Sequence, residues 1–174
     1  MTEKQRTGAV IVFILFVAAL LNNTCIIYLN VSGSLPRGLY LRIPIYRECF
    51  RQGDIVVYEP TEEVKSMAVK RKYSAPDGLS SMTFMKPIGA LSGDSYTLSA
   101  KTLVLNINGR FVGKAERFDS YGQELPLMIG NHTVKNGEFL PISTYAVNSF
   151  DGRYTGTVPI QNIKARVIPL VVEC

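Results

Sequence analysis

The sequence predicts a mainly β chain, one extracytoplasmic domain of antiparallel sheet preceded by a single N-terminal transmembrane helix. Three observations carry the prediction. Gly8 to Leu21 is a run of fourteen residues without a polar side chain. Beyond it, short segments rich in β-branched and aromatic residues alternate with Gly, Pro, Asn and Asp, the punctuation of strands and turns. Asn108-Gly109, between two such segments, is the strongest short hairpin signal. With 174 residues, 47% of them hydrophobic, the chain has room for one modest core and needs no second domain. The division this suggests is a cytoplasmic N-terminus at 1–7, a transmembrane anchor at 8–29 and an extracytoplasmic β domain at 30–174.

Fourteen apolar residues fall short of the roughly 20 that a span needs. The run resumes after Asn22-Asn23-Thr24 with Cys25-Ile26-Ile27-Tyr28-Leu29, so Gly8 to Leu29 crosses if the asparagines sit near the far interface. A cleaved secretory signal is the competing reading of a basic start and an apolar stretch. No small-x-small cleavage site follows the run, which favours an uncleaved anchor. Cys25 invites a lipoprotein reading, but its polar approach argues for a membrane-interface residue. Lys4 and Arg6 precede the run and no basic residue lies between it and Arg37, so the positive-inside bias puts the amino terminus in the cytoplasm and the rest outside.

Asn30 to Tyr40, N-V-S-G-S-L-P-R-G-L-Y, reads as a shaped turn. Gly33 lets the backbone bend, Pro36 fixes φ, and Gly38 frees the chain again. Asp54-Ile55-Val56-Val57-Tyr58 is a strand closed by Glu59-Pro60. The charged stretch from Pro60 to Ser80 reads as a surface excursion with a short helix at 61–72 and a turn at Pro76-Asp77-Gly78. Met82 to Ile88 is a strand that encloses Lys86 in apolar company. Thr102 to Val112 is the hairpin turning at Asn108-Gly109. Gly137 to Ile142 and Ala165 to Leu170 are further strands, with prolines that suit edges or ends. Asp54 and Asp94, each after a glycine, read as turn acids.

The net charge of +5 and pI near 9.2 come from dispersed Lys and Arg, with no basic element interleaved with aromatics, so nucleic acid is not an expected partner. A basic outer domain resting near acidic lipid headgroups accounts for the charge. One histidine and three scattered cysteines, Cys25, Cys49 and Cys174, give no ligand spacing, and neither a metal nor a cofactor is expected. A Cys49–Cys174 disulfide is compatible with a location outside the cytoplasm, although the cysteine count is odd.

The turn at 30–40 offers Ser34 as a nucleophile, and a serine hydroxyl needs a neighbouring base. Its bland alternative is an ordinary S-G-S turn linking the anchor to the domain. His132, the only histidine, lies in I-G-N-H-T-V-K-N-G and reads as part of an exposed turn. Lys86 is different, because Met82-Thr83-Phe84-Met85 and Pro87-Ile88 would desolvate its amine and lower its pKa towards neutrality. The competing reading is a strand lysine that snorkels to water.

Four segments then occur in order: S-G-S-L-P at 32–36, Q-G-D-I-V-V-Y at 52–58, F-M-K-P-I-G-A-L-S-G-D at 84–94 and N-S-F-D-G-R-Y at 148–154. Together they resemble the membrane-bound signal peptidases with a Ser/Lys dyad. The P-x-G-x-Y continuation after the serine box and the proline after the lysine are similar to the TraF-type branch, the conjugative-transfer peptidases. The G-D-N-R run that often precedes N-S-x-D in general signal peptidases is absent here, and Thr144-Tyr145-Ala146-Val147 stands in its place.

The resemblance implies a signal-peptidase-like antiparallel fold and peptide-bond cleavage by acyl transfer, with Ser34 as nucleophile and Lys86 as general base. It implies an oxyanion held by the Ser34 N–H and the Ser32 hydroxyl, for which a turn serine bonding its own backbone is the alternative. Ser149 matches the serine that orients the lysine amine, and Asp151 and Arg153 match a structural acid and base pair; a direct tuning of the dyad is the second reading of Asp151. The branch implies a pilin precursor as substrate, for conjugation or type IV secretion, with a product that is linear or closed on its own amino terminus. The expected location is the inner membrane, single-pass, with the catalytic domain periplasmic and in contact with lipid. From Leu29 to Ser34 is at most roughly 15–18 Å of extended chain, so the nucleophile lies close to the outer membrane surface. Two further readings stand beside this one: a general signal peptidase acting on secretory preproteins, and a non-catalytic module that binds and assembles pilins.

Overall fold

The computed structural model describes residues 6, 8, 27–45, 50–73 and 82–173. The expected anchor, apart from Gly8 and its last residues, and all three cysteines lie outside the described residues, so neither the span nor the Cys49–Cys174 pairing enters the description. Among the described residues no helix is long and apolar enough to cross a membrane. Ile27 to Leu29, the end of the expected anchor, belong to the first strand.

In chain order the strands are β1 (Ile27–Asn30), β2 (Gly38–Ile43), β3 (Ile55–Tyr58), β4 (Phe84–Leu91), β5 (Ser95–Leu98), β6 (Val104–Ile107), β7 (Arg110–Lys114), β8 (Gly130–Thr133), β9 (Glu138–Pro141), β10 (Val158–Pro159) and β11 (Ile163–Val172). Among the described residues the strands are interrupted by α1 (Glu62–Lys70), by the single turn α2 (Gly152–Thr155) and by a 3-10 turn at Ile160–Asn162. A seven-stranded sheet has the order β1-β2-β11-β3-β4-β9-β10, and a four-stranded sheet the order β7-β6-β5-β8. The strand pairs are antiparallel.

Local chemistry explains the punctuation. The β6–β7 hairpin turns where expected, with Asn108 and Gly109 both at positive φ, 49° and 75°, the backbone that this turn type demands. α1 starts at Thr61, whose side chain accepts the Val64 N–H, and carries Glu62 and Glu63 in its first turn. Asp54 accepts the Arg51 N–H and pairs with Arg166, while Asp94 accepts the Leu91 N–H and the Asn108 amide, so each holds a turn. Pro169 fits the expected placement towards a strand end, for although β11 lies between β2 and β3, at Pro169 it is paired with β2 alone. It pairs with Tyr40 beyond the stretch of β11 that meets β3, next to a register shift, where its missing N–H is tolerated.

The stretch read as a surface excursion is partly structural. Val64 and Ala68 of α1 are buried, and Lys65 is buried in ion pairs with Glu59 and Glu62 at 2.5 and 2.7 Å. Arg71 and the Tyr73 hydroxyl both donate to Asp119, tying the end of α1 to the loop after β7.

The core lies between the sheets and under the turn that follows β1. One cluster packs Leu98, Leu105 and Ile107 of the smaller sheet, with Val134 just after β8, against Leu140 and Tyr154. A second sets Val56, Tyr58, Ile88, Phe139 and Val158 together, with Tyr58 edge-on to Phe139 at 5.3 Å between centroids. A third holds Leu35 with Tyr40, Val57, Ala165 and Val167. Leu35 thus anchors the turn immediately after Ser34.

The glycine this turn requires is Gly38 rather than Gly33. Gly38 has φ 139°, and a Cβ there would lie 2.2 Å from the Val171 carbonyl oxygen. Gly33 lacks a positive φ, and an added Cβ would meet nothing within 4 Å. Gly38→Ala is therefore expected to lower stability by about 2 kcal/mol or more, while Gly33→Ala stays within about 0.5 kcal/mol of wild type in urea unfolding.

Candidate active site

β3 and β4 pair so that Lys86 stands opposite Val56, in a stretch flanked by Phe84, Met85, Pro87 and Ile88. The pattern puts the lysine into the interior, and it is 6% exposed. Its Nζ donates to Ser34 Oγ and, at 2.8 Å, to Ser149 Oγ; Ser149 Oγ in turn donates to Ser34 Oγ at 3.3 Å. Three groups that are 52 to 115 residues apart in the chain therefore meet.

Burial is the largest influence on Lys86 and pushes its amine down from the usual 10.5 to about 8. The Asp151 charge raises it and the Arg153 charge lowers it, so these two act in opposition. At that value a useful fraction of Lys86 is neutral near physiological pH. A neutral amine that keeps an N–H on Ser149 has its lone pair left for the Ser34 proton.

Asp151 and Arg153 form a buried pair at 0% and 4% side-chain exposure, with Nη2 2.9 Å from Oδ2 and Nε 2.9 Å from Oδ1. Asp151 also caps α2 through the Arg153 N–H and accepts the Ser143 N–H at 3.0 Å. Arg153 spends its remaining donors on the carbonyls of Lys114, Val147, Ser143, Ala146 and Ser149. Asp151 makes its hydrogen bonds within this lock, and it acts on Lys86 through its charge. Gly152 lets the lock sit against β9, since a Cβ there would lie 2.6 Å from Leu140 Cδ1 and 2.8 Å from the Pro141 carbonyl oxygen.

Ser32 sits exposed on the same turn as Ser34, and its hydroxyl donates to Asn30 Oδ1 at 2.8 Å. His132 belongs to β8 rather than to an exposed turn. Its ring stacks on Tyr96 at 4.9 Å, and Nε2 lies 3.2 Å from the carbonyls of Met128 and Ile129. Among the described residues no group of His, Cys, Asp and Glu is arranged to hold a metal ion.

Two residues were not singled out from the sequence. Asn30 is 5% exposed and organises the turn, its amide donating to the carbonyls of Ser32, Leu35 and Pro36 while its oxygen accepts from Ser32. Its place at the mouth of a Ser-, Gly- and Pro-rich turn was the available signal. Ser143 is buried and its hydroxyl donates to the Ser34 carbonyl, 109 residues away in the chain. No local feature of P-I-S-T announces that contact.

Comparison with known proteins gives a family. The family described as signal peptidase, peptidase S26, matches residues 4–171. Among solved structures, the chain is similar to a signal peptidase I from Enterococcus faecalis V583, at 17% sequence identity with a TM-score of 0.40, covering 68% of this chain and 96% of that one. No curated protein matches.

Proposed function

The chain belongs to the signal peptidase family, peptidase S26, and on that premise we propose that it is a membrane-anchored serine endopeptidase of the TraF-type branch, which matures a pilin precursor with a Ser34/Lys86 dyad. The single observation that carries the dyad is the meeting of Ser34 Oγ, a buried Lys86 Nζ and Ser149 Oγ within mutual hydrogen-bond reach. Neutral Lys86 takes the Ser34 proton as Oγ attacks the scissile carbonyl. The tetrahedral oxyanion is met by the Ser34 N–H and the Ser32 hydroxyl, which must turn from Asn30 to do so. Collapse sends the proton from Lys86 to the leaving amine and leaves an ester on Ser34. Water then releases a linear product, or the precursor's own amino group attacks the ester and closes a ring.

The branch reading rests on S-G-S-L-P-R-G-L-Y and on Lys86-Pro87. The membrane reading rests on the apolar N-terminal run and on an apolar rim beside the serine turn. Leu29, Val31, Leu170 and Val171 are all more than half exposed there, with Val31 at 71%. Such a patch, close in sequence to the expected anchor, suits contact with lipid, and the basic residues before the apolar run favour the periplasmic face of the inner membrane for the catalytic domain.

The test is processing of a co-expressed pilin precursor, and of a generic secretory preprotein, in the same membranes by wild type, Ser34→Ala and Lys86→Ala. The expected result is a pilin product from wild type alone at equal protein abundance, with the preprotein left uncut. Its mass separates the linear peptide from a form lighter by one water. Cutting of the preprotein would reassign the chain to general signal peptidases, and unchanged processing by both variants would leave a binding module.

A further inference from the structure

Lys86 belongs to β4 and Ser34 to the turn after β1, so the distance on which the proposed dyad depends is set between two separate elements. Asn30 fixes that turn through the carbonyls of Ser32, Leu35 and Pro36, but not through that of Ser34. The Ser34 carbonyl is instead taken by the Ser143 hydroxyl. Ser143 follows β9, which is paired to β4 with Pro141 opposite Ile88, and the Ile142 N–H donates to the Pro87 carbonyl at 3.0 Å. Ser143 is therefore fixed in the frame of the lysine strand, two residues beyond Pro141, and reaches across to the nucleophile.

Its other polar groups are also engaged. The N–H donates to Asp151 Oδ2 at 3.0 Å, the carbonyl accepts from Arg153 Nη2 at 3.3 Å, and Oγ accepts the Tyr145 N–H at 3.3 Å. We propose that Ser143 is a positioning residue for the reaction, holding the Ser34 peptide in register with Lys86 and linking that peptide to the buried Asp151–Arg153 pair. This deepens the dyad reading and rests on it. A merely structural serine would stabilise the fold without setting the nucleophile; a positioning one sets the turnover rate while leaving substrate binding and the titration of the base alone.

The experiment uses the detergent-solubilised full chain and a fluorogenic peptide carrying the cleavage site mapped in the precursor. It compares wild type, Ser143→Ala, Ser143→Thr, Ser34→Ala and Lys86→Ala at a temperature where thermal melts show every variant folded. Ser143→Ala is expected to lower kcat by roughly 10- to 100-fold, the loss that a small misplacement of reacting groups produces. KM is expected to stay within about twofold, with the rising limb of the pH profile unmoved. Ser143→Thr, which keeps the hydroxyl, is expected to recover most of the rate. Wild-type turnover in Ser143→Ala, equal losses in the Ala and Thr variants, or a displaced pH limb would each overturn the inference. Activity close to wild type in Ser34→Ala or Lys86→Ala would instead overturn the dyad itself, so the two failures are distinct.

Discussion

Lys86→Ala is expected to lower cleavage by roughly 10²- to 10⁴-fold, the usual contribution of a general base, and Ser34→Ala to bring it to background. The pH profile carries the sharper form of this result. In wild type the amine sits at about 8 because burial outweighs the neighbouring charges. Cleavage should therefore rise about tenfold per pH unit below that value and level off above it. Lys86→Arg, whose side chain stays charged, should show no such limb. The same burial affects stability, with a sign that follows from the two protonation states. An unfolded lysine titrates near 10.5 and the folded one near 8, so below 8 both are charged and the folded state alone bears the burial of an ammonium. Between 8 and 10.5 the unfolded state holds more protons, and the contribution of Lys86 to stability rises with pH. The shift corresponds to about 3 kcal/mol. At pH 7, Lys86→Met is thus expected to be inactive and more stable than wild type by up to about 3 kcal/mol in thermal unfolding, an exchange of stability for activity. A Met variant that melts below wild type would show that the hydrogen bonds of Lys86 outweigh its desolvation.

Much of this site could be read before the structure. Ser34, Lys86 and Ser149 each sit in a short box whose residue types serve a local purpose as well as a chemical one. The turn residues around Ser34 and the apolar neighbours of Lys86 are visible within a few positions. The same holds for the Asn108-Gly109 hairpin and for the helix begun by Thr61, which depend on local backbone chemistry. What escaped depends on contacts between distant residues. Ser143 meets Ser34 across 109 residues, and Arg71 and Tyr73 meet Asp119 across 48 and 46. A serine or an arginine looks the same in sequence whether its partner is water or a buried carbonyl. Gly33 and Gly38 illustrate the same limit, because a close approach by the Val171 carbonyl, and not the turn alone, decides which glycine is needed.

Removing one member of the Asp151–Arg153 pair is expected to be the most destabilising single change near the site, at about 3–5 kcal/mol, because the partner is left charged and buried. The two halves should nonetheless be told apart by activity. Asp151 raises and Arg153 lowers the Lys86 amine. Arg153→Met therefore leaves the carboxylate unopposed and should carry the rising limb to higher pH, whereas Asp151→Asn should carry it lower. Measuring both limbs in whatever fraction stays folded, alongside urea unfolding, separates electrostatic tuning from loss of structure. Limbs that stay at the wild-type position in both variants would assign the pair a purely structural role. Replacing both residues at once should not restore stability, although many buried ion pairs can be exchanged for apolar groups at little loss. Arg153 also donates to the carbonyls of Lys114, Ser143, Ala146, Val147 and Ser149. In Asp151→Asn/Arg153→Met those buried acceptors lose a donor that methionine cannot supply. The backbone that carries Ser149 and Ser143 to Lys86 and Ser34 would then keep the Ile142 N–H to Pro87 and Ser149 N–H to Ala146 hydrogen bonds but lose those of the guanidinium.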